Sequence, residues 1–294
     1  LDHLIVIATL IIAIKLSRDS VPQTMKASQK PGENGAKAVL LDIEGVICVG
    51  EDVLPGSLAA IRRIRDLGVP HKFITNTTRR PRRQIVEDLA RLGVDAASED
   101  VFTPSIAARD LLASQNLAPL LIVHPNLRED FAGLPDRARG ASAPGGFDAV
   151  VVGDAGVFFT YDLLNRAFRI LVDGAAFFAL AKNRNFLDRD GKLSLDAGPF
   201  VAALEYASGK TATVLGKPSA AFFNLAVEGL GCSAADVAMI GDDAEADVGG
   251  AMAAGLQGVL VRTGKYRAGQ ETRLAAPPTL MADNLKGAVD RLFG

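Results

Sequence analysis

Short apolar runs recur along most of the chain, and most are followed by a stretch whose apolar positions have helical spacing. The clearest run is Ala38-Val39-Leu40-Leu41, just ahead of Asp42, Glu44 and Gly45. An unbroken run of that length before turn residues predicts a buried parallel strand, because a strand covered on both faces does not alternate. Pro55-Gly56-Ser57 then opens a helix in which Leu58, Ile61, Ile64, Arg65 and Leu67 follow with helical spacing, closed by Gly68. A second strand is expected over residues 71–74, ending at Thr75-Asn76-Thr77-Thr78, and a second helix over about 81–92, with Gly93 at its end. This β-α-β-α order with short connections predicts a parallel sheet with crossover helices.

After a helix over residues 103–112 the middle of the chain makes a fresh α/β start. Strands are expected at 120–123, 148–153 and 176–181, helices at 161–172 and 198–207, and a Pro- and Gly-rich surface loop over 135–146. The last third returns to the first pattern. A short strand at 213–215 leads into Gly216-Lys217-Pro218. A helix at 219–229, a strand at 237–240 ending in Gly241-Asp242-Asp243, a helix at 245–254 and a closing strand at 258–261 follow. Residues 103–208 therefore read as a domain inserted into a core built from 37–102 and 209–294.

Residues 1–36 read differently. The segment LIVIATLIIAI at 4–14 is apolar throughout, and 17–37 is polar with Pro and Gly, a linker pattern. The apolar run is shorter than the about 20 residues that a membrane-spanning helix needs. No basic segment precedes it, as one does in a signal peptide. Two readings stay open: a membrane anchor, or sequence upstream of a start at Met25.

Composition adds little but excludes several classes. The 294 residues are 49% apolar and 22% charged, ordinary for a globular protein. A net charge of -2 gives no electrostatic footprint for nucleic acid or an anionic membrane as main partner. Cys48 and Cys232 make no disulfide framework, no Cys/His cluster has zinc spacing, and the three histidines suggest no triad. Low cysteine use fits a reducing cytosol, so a cytoplasmic location is expected.

The chemistry sits at the strand ends. Asp42 and Glu44 follow the first strand, Thr75, Asn76 and Thr77 the second, Lys217 a later one, and Asp242, Asp243 and then Asp247 another. A parallel sheet brings such ends to one edge, where ligands bind. The set holds a nucleophilic carboxylate, hydroxyl and amide donors, a cation and several acids. That suits phosphoryl transfer. Mg²⁺ takes oxygen ligands from carboxylates, water and phosphate. An aspartate nucleophile forms an acyl phosphate, and lysine and hydrogen-bond donors offset the charge on the transferring group.

Over residues 37–294 this constellation resembles the haloacid dehalogenase (HAD) superfamily of aspartate-nucleophile hydrolases. The four motifs stand here as DIEGV, TNTT, GKP and GDDAEAD. The insertion resembles the C2 cap of subclass IIA. The stretches GPFVAALEYASGKTATVLGKP, MIGDDAEADVGGAMAAG and VRTGKYR are similar to the branch containing phospholysine phosphohistidine inorganic pyrophosphate phosphatase. The resemblance implies an α/β fold, a Rossmann-like core with a parallel sheet plus an inserted α/β cap. It also implies a Mg²⁺-dependent phosphatase acting on a small phosphorylated substrate, such as pyrophosphate or a phosphorylated amino-acid side chain, and a homodimer.

Residue by residue, it implies that Asp42 attacks phosphorus and binds Mg²⁺. Glu44 offers its backbone carbonyl to the metal. Thr75, Asn76 and Thr77 hold phosphoryl oxygens. Lys217 neutralises charge between nucleophile and phosphate. Asp242 binds Mg²⁺ directly, with Asp243 and Asp247 as ligands or in support. Lys182, after a cap strand, stands where C2-capped relatives select substrate. One departure matters. Most phosphatases of the superfamily carry a second Asp two residues after the nucleophile as general acid and base, and this chain has Glu44. A weakly active or non-catalytic binding protein on the same fold is therefore the alternative.

Overall fold

The computed structural model describes residues 35–136, 146–187 and 191–294, all within one compact unit, Gly32–Gly294. The apolar stretch at 4–14 and most of the loop expected at 135–146 lie outside the described residues.

Strand β1 (Ala38–Asp42) is buried along its whole length. Its side chains still divide by alternation. Val39 and Leu41 join one apolar cluster, and Ala38 and Leu40 another on the opposite face. A hairpin of β2 (Cys48–Val49) and β3 (Asp52–Val53) follows. Helix α1 (Ser57–Asp66) then buries Ser57, Ala60, Ile61 and Ile64, the i, i+3, i+4, i+7 stripe of an amphipathic helix. It packs in the first cluster, and Gly68, at φ +66°, turns the chain out of it. Strand β4 (His71–Ile74) pairs parallel with β1, and α2 (Arg82–Arg91) follows. Strand β5 (Val101–Phe102) extends the sheet beside β4.

Helix α3 (Pro104–Ser114) is buried on nearly every side, because it lies in the second cluster, which continues into a second sheet. That sheet comprises β6 (Pro119–Ile122), β7 (Ala149–Val152) and β8 (Ala176–Ala179), with helix α4 (Tyr161–Val172) between β7 and β8. A hairpin of β9 (Asn185–Leu187) and β10 (Leu193–Leu195) leads to α5 (Ala197–Ser208). The strand expected to resume the first pattern, β11 (Thr213–Val214), does not enter the first sheet. It pairs parallel with β8 in the second. Two residues carry no face pattern of their own, so only the pairing of Thr213 with Phe178 and of Val214 with Ala179 assigns them.

Helix α6 (Ala220–Glu228) leads to β12 (Val237–Gly241), which lies on the other side of β1 from β4. The helix expected over 245–254 is instead a wide π-helical turn over Ala244–Gly249 followed by a short α7 (Gly250–Ala253). Tight packing accounts for the adjacent glycines here: a Cβ at Gly250 would press on the backbone of Pro218 at 2.6 Å. Strands β13 (Gln257–Val261) and β14 (Leu280–Ala282) and helix α8 (Leu285–Phe293) complete the chain.

Among the described residues the first sheet is parallel, in the order β14-β13-β12-β1-β4-β5, and the second is parallel, β11-β8-β7-β6. The register aligns Asp42 with Ile74 and Leu41 with Ile240, so the loops carrying Thr75 and Asp242 open at the level of Asp42. No helix among the described residues is long and apolar enough to cross a membrane.

Candidate active site

Asp42, Lys217, Asp242 and Asp247 meet at this edge. Asp42, the last residue of β1, is 6% exposed, and its Oδ1 accepts from the Ile43 N–H at 2.9 Å. Lys217 lies in the link from β11 to α6. Its Nζ is 2.8 Å from Asp42 Oδ1 and 2.7 Å from Asp247 Oδ1. Asp242 follows β12 and is fully buried, and Asp247 comes in from the π-helical turn. Carboxylate oxygens of Asp42, Asp242 and Asp247 all lie within 4.8 Å of one another.

Three buried carboxylates face one ammonium, and their electrostatics reflect that imbalance. Burial pushes the Asp242 carboxyl up to about 6, against the opposing N–H of Lys265. Burial and then the charge of Asp42 raise Asp247, although Lys217 pulls the other way. Burial acts to lower Lys217, but Asp247 and Asp42 outweigh it and hold the ammonium above its ordinary range. Asp242 Oδ1 is buried and has no hydrogen-bond partner among the described residues. An orphaned anionic oxygen inside an all-carboxylate donor set fits a hard divalent cation such as Mg²⁺.

Glycines make this closeness sterically feasible. Gly45 (φ +82°) and Gly264 (φ +54°) both lie so close to Asp242 that a Cβ on either would overlap its carboxylate. Thr263 Oγ1 donates to Gly45 O at 2.5 Å, and the Lys265 N–H donates to Asp242 Oδ2 at 2.6 Å. The loop 262–267 is thus part of the site, although sequence reasoning gave it no role. The signal was present: it follows β13, a further strand end at the same edge.

The loop after β4, which carries the residues expected to hold phosphoryl oxygens, makes the following contacts within the protein. Thr75 Oγ1 accepts from the Thr77 N–H at 3.4 Å. Both ends of the Asn76 amide are engaged by the backbone of Lys217, each at 2.8 Å. Arg79 reaches across to Asp154, which follows β7, and its guanidinium lies over the Phe186 ring at 4.9 Å. Arg80 pairs with Asp88, and Arg83 with Glu87 and Glu129, so these three cations face protein carboxylates.

Three other sequence candidates lie outside the acidic cluster. Asp243 caps the following turn: its Oδ1 accepts from the N–H groups of Glu245 and Ala246. The Glu44 side chain is exposed, and its Oε1 accepts from Gly50 N–H at 3.1 Å. Lys182 pairs with Glu205 at 2.8 Å. It lines, with Asn183, Val214, Lys217, Pro218 and Ser219, a cavity of 460 Å³ beside Lys217. Cys48 is buried, and burial together with Glu44 pushes its thiol up to about 11.

Comparison with known proteins agrees with this fold. A family model described as haloacid dehalogenase-like hydrolase matches residues 39–134, and a HAD-hydrolase-like model matches 214–288. The chain is 42% identical over 257 residues to haloacid dehalogenase-like hydrolase domain-containing protein 2 of Homo sapiens, covering 87% of this chain and 96% of that protein. It is 38% identical over 265 residues to phospholysine phosphohistidine inorganic pyrophosphate phosphatase of Mus musculus, covering 88% and 95%. The structure of p-nitrophenyl phosphatase from Archaeoglobus fulgidus superposes with a TM-score of 0.77 at 25% identity, covering 88% of this chain and 100% of that one. The chain belongs to the haloacid dehalogenase-like hydrolases. Within them it resembles subclass IIA and the phospholysine phosphohistidine inorganic pyrophosphate phosphatase branch.

Proposed function

We propose that the protein is a HAD-type phosphatase that works with Mg²⁺ and carries the phosphoryl group on Asp42. That relatives of this length and identity are named phosphatases supports the class. The observation that carries the mechanism is the position of Lys217 Nζ, 2.8 Å from Asp42 and 2.7 Å from Asp247. An ammonium so held orients the Asp42 carboxylate as a nucleophile and offsets the charge of an incoming phosphate.

In this reading Asp42 Oδ attacks phosphorus, the P–O or P–N bond to the leaving group breaks, and water then cleaves the aspartyl phosphate. Asp42, Asp242 and Asp247 hold the Mg²⁺, with the Glu44 backbone carbonyl as a further ligand, and Asp243 orders the turn that brings in Asp247. The cation supplies Lewis-acid stabilisation of the phosphoryl oxygens. Thr75 and Thr77 bind those oxygens. The core is residues 37–102 and 209–294. The cap is 103–208, with the Thr213–Val214 strand added to its sheet. The leaving group occupies the cavity beside Lys182. The substrate is a small phosphate ester, phosphoramide or pyrophosphate, and the setting is cytoplasmic, with the chain as a homodimer.

Hydrolysis of p-nitrophenyl phosphate with Mg²⁺ or with chelator, for the wild type and Asp42→Asn, tests this. Turnover should require Mg²⁺ and vanish in Asp42→Asn. Turnover that survives either change sinks the mechanism. Phosphate binding with no turnover would favour the non-catalytic alternative, to which the engagement of the Glu44 carboxylate by Gly50 lends some weight.

A further inference from the structure

We propose that Asn76 is a positioning residue: its side-chain amide fixes the backbone of Lys217 and so holds the ammonium between Asp42 and Asp247. The proposal deepens the phosphatase reading and rests on it for its kinetic test.

Asn76 stands two residues beyond β4, and Lys217 is 141 positions further along the chain. Asn76 Nδ2 donates to the Lys217 carbonyl at 2.8 Å, and Asn76 Oδ1 accepts from the Lys217 N–H at 2.8 Å. The partners themselves fix the amide orientation, because a backbone N–H only donates and a carbonyl only accepts. The paired amide thus satisfies both main-chain polar groups of one residue.

Lys217 needs such a partner. It falls between the Thr213–Val214 strand and the Ala220–Glu228 helix, so no ladder or helical bond serves its backbone. An unpaired buried backbone group is costly, and the Asn76 amide takes the place of two ladder bonds. Gly216 leaves room for this approach: a Cβ there would come within 3.1 Å of Asn76 Oδ1 and overlap the Leu180 carbonyl.

The consequence for chemistry is geometric. Lys217 is 4% exposed at its side chain, so its ammonium has no bulk water to fall back on if displaced. Contacts of 2.7 and 2.8 Å to two different carboxylates tolerate little backbone drift. A displacement near 1 Å at a reacting centre costs on the order of 10²-fold in rate. With both ends of its amide on Lys217, Asn76 acts on the reaction through that residue, and phosphoryl contacts fall to Thr75 and Thr77.

A double-mutant cycle of Asn76→Ala and Lys217→Ala, read by kcat/KM on p-nitrophenyl phosphate, tests this together with amide hydrogen exchange. In the wild-type background Asn76→Ala should lower kcat/KM by about 10²-fold. In the Lys217→Ala background it should cause no further loss, because a residue that acts only through Lys217 has nothing left to position. Exchange at the Lys217 N–H should quicken in Asn76→Ala while that at Leu40, in the core of the sheet, stays slow. Asn76→Asp keeps the acceptor and loses the donor, so it should retain protection of the Lys217 N–H. Losses that multiply in the double variant would mean that Asn76 touches the substrate, and unchanged Lys217 exchange in Asn76→Ala would mean that the contact is not made. Either result overturns the proposal. A wild type without turnover would overturn the phosphatase reading instead, and the exchange result would then decide the Asn76–Lys217 contact independently.

Discussion

The backbone N–H of Lys265 donates to Asp242 Oδ2 at 2.6 Å, which fixes one oxygen of this carboxylate and leaves Oδ1 buried without a hydrogen-bond partner among the described residues. The contact depends on Gly264, whose φ of +54° and missing Cβ let the loop lie against Asp242 and Gly45. Gly264→Ala should therefore push the loop off the carboxylate. Partners of this kind are worth 10- to 100-fold in metal affinity, so Mg²⁺ binding measured by calorimetry should weaken by roughly that factor. Unchanged affinity would mean that the Lys265 contact does not orient Asp242.

The raised carboxyl of Asp242 sets a pH dependence whose sign can be worked out. The folded protein takes up this proton near pH 6, whereas the unfolded chain does so near 3.8. Without metal, the stabilisation from this difference is complete below the lower value and is lost as pH rises through the higher one. Mg²⁺ needs the ionised carboxylate, so it acts in the opposite sense. The rise in Tm caused by Mg²⁺ should be small at about pH 5 and larger at about pH 7.5. A rise that is the same at both values would remove Asp242 from the metal site.

Little of this arrangement is visible in the sequence, although the elements that carry it are. The strands before Asp42 and Asp242 were legible because Ala38 to Leu41 and Val237 to Ile240 are apolar without interruption, and those at 71–74 and 213–215 were legible from the turn residues that follow them and their place in the α/β order. Strands Val101–Phe102 and Leu280–Ala282 were not expected, since two or three residues show no period. Within the site, residue type left the roles ambiguous. Asp243 and Asp247 offer the same carboxyl, and only the turn over Ala244–Gly249 makes one a cap and brings the other to Lys217. Lys265 acts through a backbone N–H that any non-proline residue has, so its side chain gave no sign of the role.

Arg79 and Asp154 tie the loop after His71–Ile74 to the end of Ala149–Val152, one in each large sheet. The Asp154 side chain is 7% exposed and also accepts from Gly156 N–H at 3.0 Å, whereas Arg79 is 43% exposed. Arg79→Ala leaves a buried carboxylate short of its cation, but solvent at the Arg79 side moderates the loss. A destabilisation of about 1–2 kcal/mol is expected in urea denaturation. Asp154→Asn added to Arg79→Ala should recover part of it, because the uncompensated charge is then gone. A further loss in the double variant would show that the carboxylate is held by something other than Arg79.

Glu44 stands where most phosphatases of the superfamily have the aspartate that protonates the leaving group. Its extra methylene displaces the carboxyl by about 1.5 Å. Here that length lets Oε1 reach the Gly50 N–H, in the turn between Cys48–Val49 and Asp52–Val53. A carboxyl held by the hairpin is poorly placed to donate a proton to a departing alkoxide. Leaving groups that depart without such help, such as nitrophenolate, pyrophosphate or a phosphorylated imidazole, should be affected far less. Glu44→Asp shortens the side chain and frees it from Gly50, so turnover of alkyl phosphates should rise by about 10- to 100-fold, with a much smaller change on p-nitrophenyl phosphate. The ratio of the two rates is the measurement, since it cancels any loss of folded enzyme. A ratio unmoved by Glu44→Asp would mean that the proton comes from elsewhere, and that Glu44 serves only to close the hairpin beside Asp42.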